Sequence, residues 1–212
     1  MNLAELEITK QLKKRGPVYW QQVVKSHGWT LVGRGTEAVV VKHPQKPYVL
    51  RIFSTDTSYV DFVKLVQQNQ QNPHFPKFSR YVRPIPGTEM SYVRMEILAP
   101  VTQIQLMQHH LPELAYLYIE STKLGLEFHE MFAPTVGVYL RQLSRGSIFD
   151  HTIQNELWDK IGQPSTTWKQ AVDLLLELYN QGTHWPSKLD LHSDNFMQRA
   201  QTLVIADPLV SR

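Results

Sequence analysis

The spacing of hydrophobic and polar positions changes once along this chain, near residue 100. At the N-terminus Leu3, Leu6, Ile8 and Leu12 give residues 2–14 a helical spacing that Gly16-Pro17 stops. Val18 to His27 reads as a second short helix, with Tyr19, Val23 and Val24 on its apolar side and Gly28 as its stop. Trp29 to Val41 then reads as strand, glycine turn, strand, and Tyr48–Phe53 as a buried strand with one charge, Arg51, inside it. Asp56 to Gln71 predicts a helix with Val60, Val63, Leu65 and Val66 on its apolar side and Thr57 or Ser58 as cap. A rigid loop, Asn72-Pro-His-Phe-Pro76, follows, and Arg80–Pro84 and Met90–Leu98 complete a five-stranded antiparallel sheet.

From Pro100 the period is helical. Thr102–His109 is one helix, and Pro112–Met131 a longer one with proline in its first turn. Residues 134–164, with Arg141, Arg145 and Gly146, read as a less regular, loop-rich segment. Ser165 or Thr166 caps a clear amphipathic helix, whose apolar positions are Trp168, Val172, Leu175, Leu176 and Tyr179. It ends at Gln181-Gly182, and His184-Trp-Pro leads into a polar loop, Lys188-Leu-Asp-Leu-His-Ser-Asp-Asn195. Phe196–Arg199 and Leu203–Ala206, joined by Ala200-Gln201-Thr202, pair as a hairpin. That hairpin brings Asn195 beside Asp207, with Asp190 one loop away. The fold class is α+β, with no internal repeat and no low-complexity tract.

Composition narrows the classes of function. A chain of 212 residues makes one large domain or two small lobes sharing a cleft. Hydrophobic content of 42% and charge of 19% are those of an ordinary globular protein. The absence of cysteine excludes disulfides and thiolate metal sites and suits a reducing cytoplasm. No apolar run approaches the ~18 residues that cross a bilayer, and the acidic start Met1-Asn-Leu-Ala-Glu-Leu-Glu has no signal-peptide core. The expectation is a cytoplasmic protein with no membrane partner. Net charge is +3, with pI near 9.0, but Lys13-Lys-Arg15 is the one basic run, so no specific nucleic-acid partner is expected.

The polar loop and hairpin carry the candidate chemistry. Two oxygen ligands, Asn195 and Asp207, beside a third carboxylate, Asp190, suit a Mg²⁺-nucleotide site: hard donors for the metal and a separate base for an attacking hydroxyl. Arg51, a charge within an apolar strand, calls for an anion; the bland alternative is an edge-strand arginine facing water. His109, His110 and His129 lack metal-ligand spacing and read as surface or cleft residues. A zinc hydrolase built on His184, Asp190, His192 and Asp194 is the weakest alternative, on the same ground.

Asp190-x-x-x-x-Asn195 followed by an apolar-framed Asp207 resembles the catalytic loop and metal-binding Asp of the protein-kinase-like superfamily. The wording Asp-Leu-His-Ser-Asp-Asn with Asp207-Pro208 is closer to two atypical branches: the serine/threonine kinases of short-tailed bacteriophages and the aminoglycoside-phosphotransferase-like kinases. The resemblance runs in order from residue 29 to 208 and is specific only over 190–207. It implies a two-lobed fold, with an N-terminal helical extension over 1–28, a five-stranded N-lobe over 29–98 and a reduced, mainly helical C-lobe over 99–212. It implies ATP and Mg²⁺ as cofactors and a Ser/Thr-bearing protein substrate, a host protein in the host cytoplasm if the chain is phage-encoded. Asp190 takes the catalytic-base position, His192 the place of a phosphate-contacting Lys, and Asn195 and Asp207 those of the metal ligands. Gly33, Gly35 and Arg51 fall at the phosphate-binding positions, and Glu96 to Leu98 at the hinge that binds adenine.

The sequence also departs from the family pattern. Ala38 stands where the third glycine of the phosphate loop belongs, and Arg51 replaces the strand Lys with a bulkier, bidentate group. No Glu occurs between Glu37 and Glu89, so the helix partner for Arg51 would be Asp61 or come from elsewhere. Pro208-Leu209 replaces Phe-Gly, and five residues follow Asp207, which fits either a minimal kinase or one missing a C-terminal part. Two other readings therefore stand beside an active protein kinase. One is a pseudokinase serving as a nucleotide- or protein-binding regulatory module. The other is a small-molecule phosphotransferase, although 132–164 offers only Asp150, Glu156 and Asp159 as an acidic lining.

Overall fold

The computed structural model describes residues 25–34, 38–54, 58–85, 90–126, 132–144, 147–181, 188–189, 193–207 and 209–210. Nearly all of the two expected N-terminal helices, as well as Gly35, His129, Arg145, Gly146, His184, Asp190 and His192, lie outside them. The chain divides into two compact units: residues up to Gln68 with Lys77–Ile97, and Asn69–Pro76 with the residues from Leu98 onward.

The first unit holds the five-stranded antiparallel sheet. Its strands are β1 (Thr30–Arg34), β2 (Ala38–Lys42), β3 (Tyr48–Ser54), β4 (Arg83–Pro84) and β5 (Met90–Glu96), in spatial order β1-β2-β3-β5-β4. Successive side chains alternate between the two faces. On one face Trp29, Val41, Leu50, Ile52, Ile85 and Tyr92 form a buried cluster. The other face carries Arg51 and Phe53 and receives helix α1 (Ser58–Gln68).

Helix α1 buries Tyr59, Phe62, Val63 and Val66, at i, i+3, i+4 and i+7; of the expected apolar side Val63 and Val66 are buried, while Val60 and Leu65 are half-buried and give way to the two aromatics. The reason is size. Tyr59 packs edge-on to Phe53, and both Tyr59 and Phe62 meet Phe78, so aromatic area sets the helix rotation.

The second unit is mainly helical: α2 (Gln103–His109), α3 (Leu111–Lys123), α4 (Phe132–Leu143), α5 (His151–Ile161) and α6 (Thr166–Gln181). Thr102 and Gln105 form a capping box at the start of α2. Helix α3 stops at Lys123, short of the expected Met131, because Gly125 takes the left-handed conformation (φ 67°) and returns its N–H to Thr122. Residues 134–164 are not loop-rich; they supply α4 and α5. Pro134 falls in the first turn of α4, where a missing N–H costs no hydrogen bond, and Asp150 caps α5 through the Thr152 and Ile153 amides. Gly137 lets α4 lie against the Tyr118 phenol of α3, a space that a Cβ would fill.

Helix α6 matches its expected pattern, with Ser165 accepting from Trp168 N–H and Trp168, Ala171, Val172, Leu175 and Leu176 buried. The same unit contains β6 (Ala99–Pro100), β7 (Lys188–Leu189), a 3-10 turn (Ser193–Asn195), β8 (Phe196–Arg199), β9 (Thr202–Ile205) and β10 (Leu209–Val210). Strands β8 and β9 pair antiparallel around a two-residue turn, β6 adds to β8, and β7 pairs with β10. Among the described residues no helix is long and apolar enough to cross a membrane.

Ala200, first residue of the β8–β9 turn, has φ 53°, a conformation that costs an L-residue about 1–2 kcal/mol and glycine almost nothing. Ala200→Gly is therefore expected to stabilise the protein by about 0.5–1 kcal/mol after allowing for the greater freedom of unfolded glycine. A rise in the urea midpoint at unchanged slope is the measurement; an unchanged or lower midpoint contradicts it.

Candidate functional site

The β8–β9 hairpin places Asn195 and Asp207 at its open end. Asn195 closes the 3-10 turn just ahead of β8, and Asp207 follows β9 by one residue. The Asn195 carbonyl accepts from the amides of Ala206 (2.8 Å) and Asp207 (3.4 Å), so the two residues are locked as backbone neighbours. Both side chains are half-buried, and Asp194 beside them is exposed. The β7–β10 pair, Leu189 opposite Leu209, ties the segment that runs into Asp190 to the segment that leaves Asp207. The side chains of these two backbone neighbours, an amide and a carboxylate, offer hard oxygen donors of the kind that fits Mg²⁺, with no soft ligand among them. No group of three or more His, Asp or Glu able to hold a metal occurs among the described residues.

The other candidates sit as follows. Gly33 lies within β1, opposite Val40, and not in the turn; Gly35 is outside the described residues. A register shift of one residue between Leu31 and Gly33 sets Val40, rather than Val39, opposite it. Val40 is in turn opposite Arg51, and Arg51 opposite Val93, so Gly33, Val40, Arg51 and Val93 form one cross-strand row on the face that receives α1.

Arg51 is no edge residue facing water. It lies on the central strand, 7% exposed, with its guanidinium 4.1 Å from the centroid of the Tyr59 ring. A desolvated cation–π contact of this kind is worth about 2 kcal/mol. Asp61, the acid expected to serve Arg51, is on the exposed side of α1 and pairs instead with Lys64 at 2.9 Å. Glu96 and Lys77 bond reciprocally: the Glu96 N–H donates to the Lys77 carbonyl (3.0 Å) and its Oε1 accepts from the Lys77 N–H. Its carboxylate thus pins the end of β5, as a polar residue at a strand end should. Leu98 is buried and Ile97 exposed, either side of the division between the two units.

His110 is buried, not a surface or cleft group, while His109 is exposed. Burial pushes His110 below its usual range, and the neighbouring His109 and His74 push the same way. The sequence reading gave no role to the residues that hold the hairpin in place. His74 accepts from the Ile205 amide through its carbonyl (2.9 Å), and its Nδ1–H donates to the Leu203 carbonyl (2.8 Å). Its Nε2 lies 3.1 Å from Ser165 Oγ and 3.2 Å from Thr167 Oγ1. Arg199 donates to the carbonyls of Pro73 (2.8 Å) and Phe75 (3.0 Å), and Asn72 donates to Thr167 O (2.9 Å). The signal available in sequence was a proline-framed loop with a histidine at its centre; the partners are more than 90 residues away and left no local trace.

No protein-family model and no curated protein matches the sequence.

His74 gives the clamp a pH signature. Burial lowers its affinity for a proton; the bond to Leu203 opposes this, and the Arg199 guanidinium adds to the lowering. The folded protein therefore holds a neutral His74 where the unfolded chain has begun to protonate. Its contribution to stability is complete above the ordinary value of 6.5 and is lost as pH falls from there through the lower folded value. Urea midpoints measured from pH 8 downward should decline below about pH 6.5. His74→Gln should cost about 2–3 kcal/mol at neutral pH and flatten that decline, with His110 leaving a remainder. An unchanged pH slope in the variant would contradict the assignment.

Proposed function

We propose that this chain is an ATP- and Mg²⁺-dependent phosphotransferase with a two-lobed protein-kinase-like fold. In this reading it is a serine/threonine protein kinase of the type found in short-tailed bacteriophages, acting on a host protein. The observation that carries the reading is the hairpin that fixes Asn195 and Asp207 as neighbours, with β7 and β10 bracketing the approach from Asp190. Two further features support it. The five-stranded antiparallel sheet has its one buried strand cation, Arg51, on the face that receives α1, and the two units divide at Ile97 and Leu98, where a hinge is expected.

The roles follow from the chemistry of each group. Asn195 and Asp207 would hold Mg²⁺, which when bound supplies neutralising charge to the nucleotide phosphates. Asp190 orients the acceptor hydroxyl and takes its proton, and His192 contacts the transferred phosphoryl group. Gly33 and Gly35 bring backbone amides to the phosphates, with Arg51 as their cation. Adenine meets backbone groups between Glu96 and Leu98, since the Glu96 carboxylate is engaged by Lys77. The gain in rate comes from positioning and from stabilising spread charge rather than from covalent chemistry.

A second reading, a pseudokinase, is favoured by the surroundings of Arg51. The Tyr59 ring lies beside its guanidinium, and the nearest acid of α1, Asp61, is paired elsewhere. A fold that needs Arg51 only for packing would use this contact.

Incubation of the purified protein with labelled ATP, Mg²⁺ and a bacterial lysate should transfer label to protein. Asp207→Asn should abolish Mg-ATP binding or turnover with the fold intact, because an amide cannot replace the carboxylate charge at the metal. Asp190→Ala should slow transfer by about two or more orders of magnitude at nearly constant nucleotide affinity. Full turnover in Asp207→Asn removes the phosphotransferase reading.

Arg51 separates the two readings. In an enzyme, Mg-ATP raises the melting temperature, Arg51→Met weakens that shift strongly, and Arg51→Lys recovers part of it. In a pseudokinase that uses Arg51 for packing alone, Arg51→Met lowers the melting temperature by itself and nucleotide shifts neither protein.

A further inference from the structure

The central strand of the first unit is buried on both sides. Val49 to Phe53 are five consecutive buried residues, where an antiparallel sheet with one face in water would alternate. Each face of the sheet therefore needs a covering layer. Helix α1 and Phe78 supply one, over the face that carries Arg51 and Phe53. On the opposite face Trp29, Val41, Leu50, Ile52, Ile85 and Tyr92 are each no more than 2% exposed. The His43 ring meets the edge of this cluster at Trp29, with centroids 5.2 Å apart, and α1 is committed to the other side. The burial is complete within a single chain, so a second copy is not what provides it.

Elimination within the unit assigns the cover. The first unit contains four stretches outside the described residues: 1–24, 35–37, 55–57 and 86–89. Gly35-Thr-Glu37, Thr55-Asp-Thr57 and Pro86-Gly-Thr-Glu89 are short and hold no large apolar side chain. The cluster crosses all five strands, from Trp29 ahead of β1 to Ile85 after β4. At the strand spacing of ~4.8 Å that is roughly 19 Å, more than any of the three can cover.

Residues 1–24 have both the length and the chemistry. Leu3, Leu6, Ile8 and Leu12 give residues 2–14 a helical spacing, and a helix of that length is about 20 Å long. Tyr19, Val23 and Val24 add a second apolar side. The chain also delivers the segment to the right place. Lys25 and Ser26 are helical, and Gly28, at φ 74° with its N–H donated to the Lys25 carbonyl, turns the backbone directly into Trp29.

We propose that residues 1–24 are the intramolecular partner of this sheet face, an apolar clasp laid over Val41, Leu50, Ile52 and Tyr92. Strand β3 then stands between two layers, giving Leu50 and Ile52 to the clasp and Arg51 to α1. The clasp backs the residue on which the enzyme and pseudokinase readings part, and it depends on neither of them. Without it the cluster is a contiguous apolar patch open to other chains.

The chain has no cysteine, which permits a test in the full-length protein with one thiol placed on each face. Val41→Cys reports the clasped face, and Val93→Cys, opposite Arg51, reports the α1 face; both valines are fully buried. Reaction of each thiol with dithionitrobenzoate is timed in the parent background and in two paired variants, Ile8→Asp/Leu12→Asp and Tyr19→Asp/Val23→Asp. At least one pair is expected to speed modification of Val41→Cys about tenfold or more by local uncovering, while Val93→Cys stays protected. Where an Asp pair gives no cooperative melt, the Ala pair at the same positions, with its smaller loss of apolar area, takes its place. Glu5→Gln/Lys14→Gln, at polar positions of the segment, should leave both rates unchanged. The proposal is overturned if neither pair speeds Val41→Cys, or if both thiols are freed equally. It is also overturned if Val41→Cys is as reactive in the parent as a free thiol, or if Glu5→Gln/Lys14→Gln acts as the apolar pairs do.

Discussion

The second unit depends on one polar clamp. The loop Asn72–Phe75 has no regular structure of its own, so its backbone groups need partners from outside. Arg199 takes two of its carbonyls, Ile205 gives an amide to a third, and His74 and Asn72 spend their side chains on β9 and on the start of α6. Each of these bonds joins segments far apart in the chain, and together they fix the hairpin against the helix. Trp168 closes the same corner, edge-on to His74 and donating its Nε1–H to the Glu113 carbonyl. Whatever chemistry Asn195 and Asp207 perform, their positions are inherited from this arrangement.

The first unit solves a different problem. A guanidinium in the middle strand of a sheet carries a large desolvation cost, and the aromatic face of Tyr59 offsets part of it. The same ring packs on Phe53 and Phe78, so one side chain joins strand and helix and also tends the charge. Arg51 consequently has a structural place before any nucleotide is considered. That is why the enzyme and pseudokinase readings part at this residue and not at the hairpin.

Much of the architecture was legible because it is local. Strand pairs such as β2–β3 and β8–β9 are announced by short apolar runs with brief connections, and α6 by its apolar spacing and Ser165 cap. Errors came where local signals had two meanings. Arg141, Arg145 and Gly146 read as parts of a loop-rich segment, yet α4 runs from Phe132 to Leu143 through Arg141, and Pro134 in its first turn is harmless to a helix. On α1 Val63 and Val66 are buried as expected, but Val60 and Leu65 lost their places to Tyr59 and Phe62, since ring area outweighs aliphatic count at the interface with the sheet. Gly33 fell into β1 because the strand runs on to Arg34, one residue short of Gly35.

The sequence by itself determined the class of the fold, the five-stranded sheet and the hairpin that joins Asn195 to Asp207, all consequences of short-range periodicity and turn chemistry. Tertiary structure alone decided the partner of Arg51, the engagement of Asp61 by Lys64 and the clamp around His74. Those depend on which faces meet across 90 or more residues of chain, and neither the spacing nor the type of a single residue records that choice.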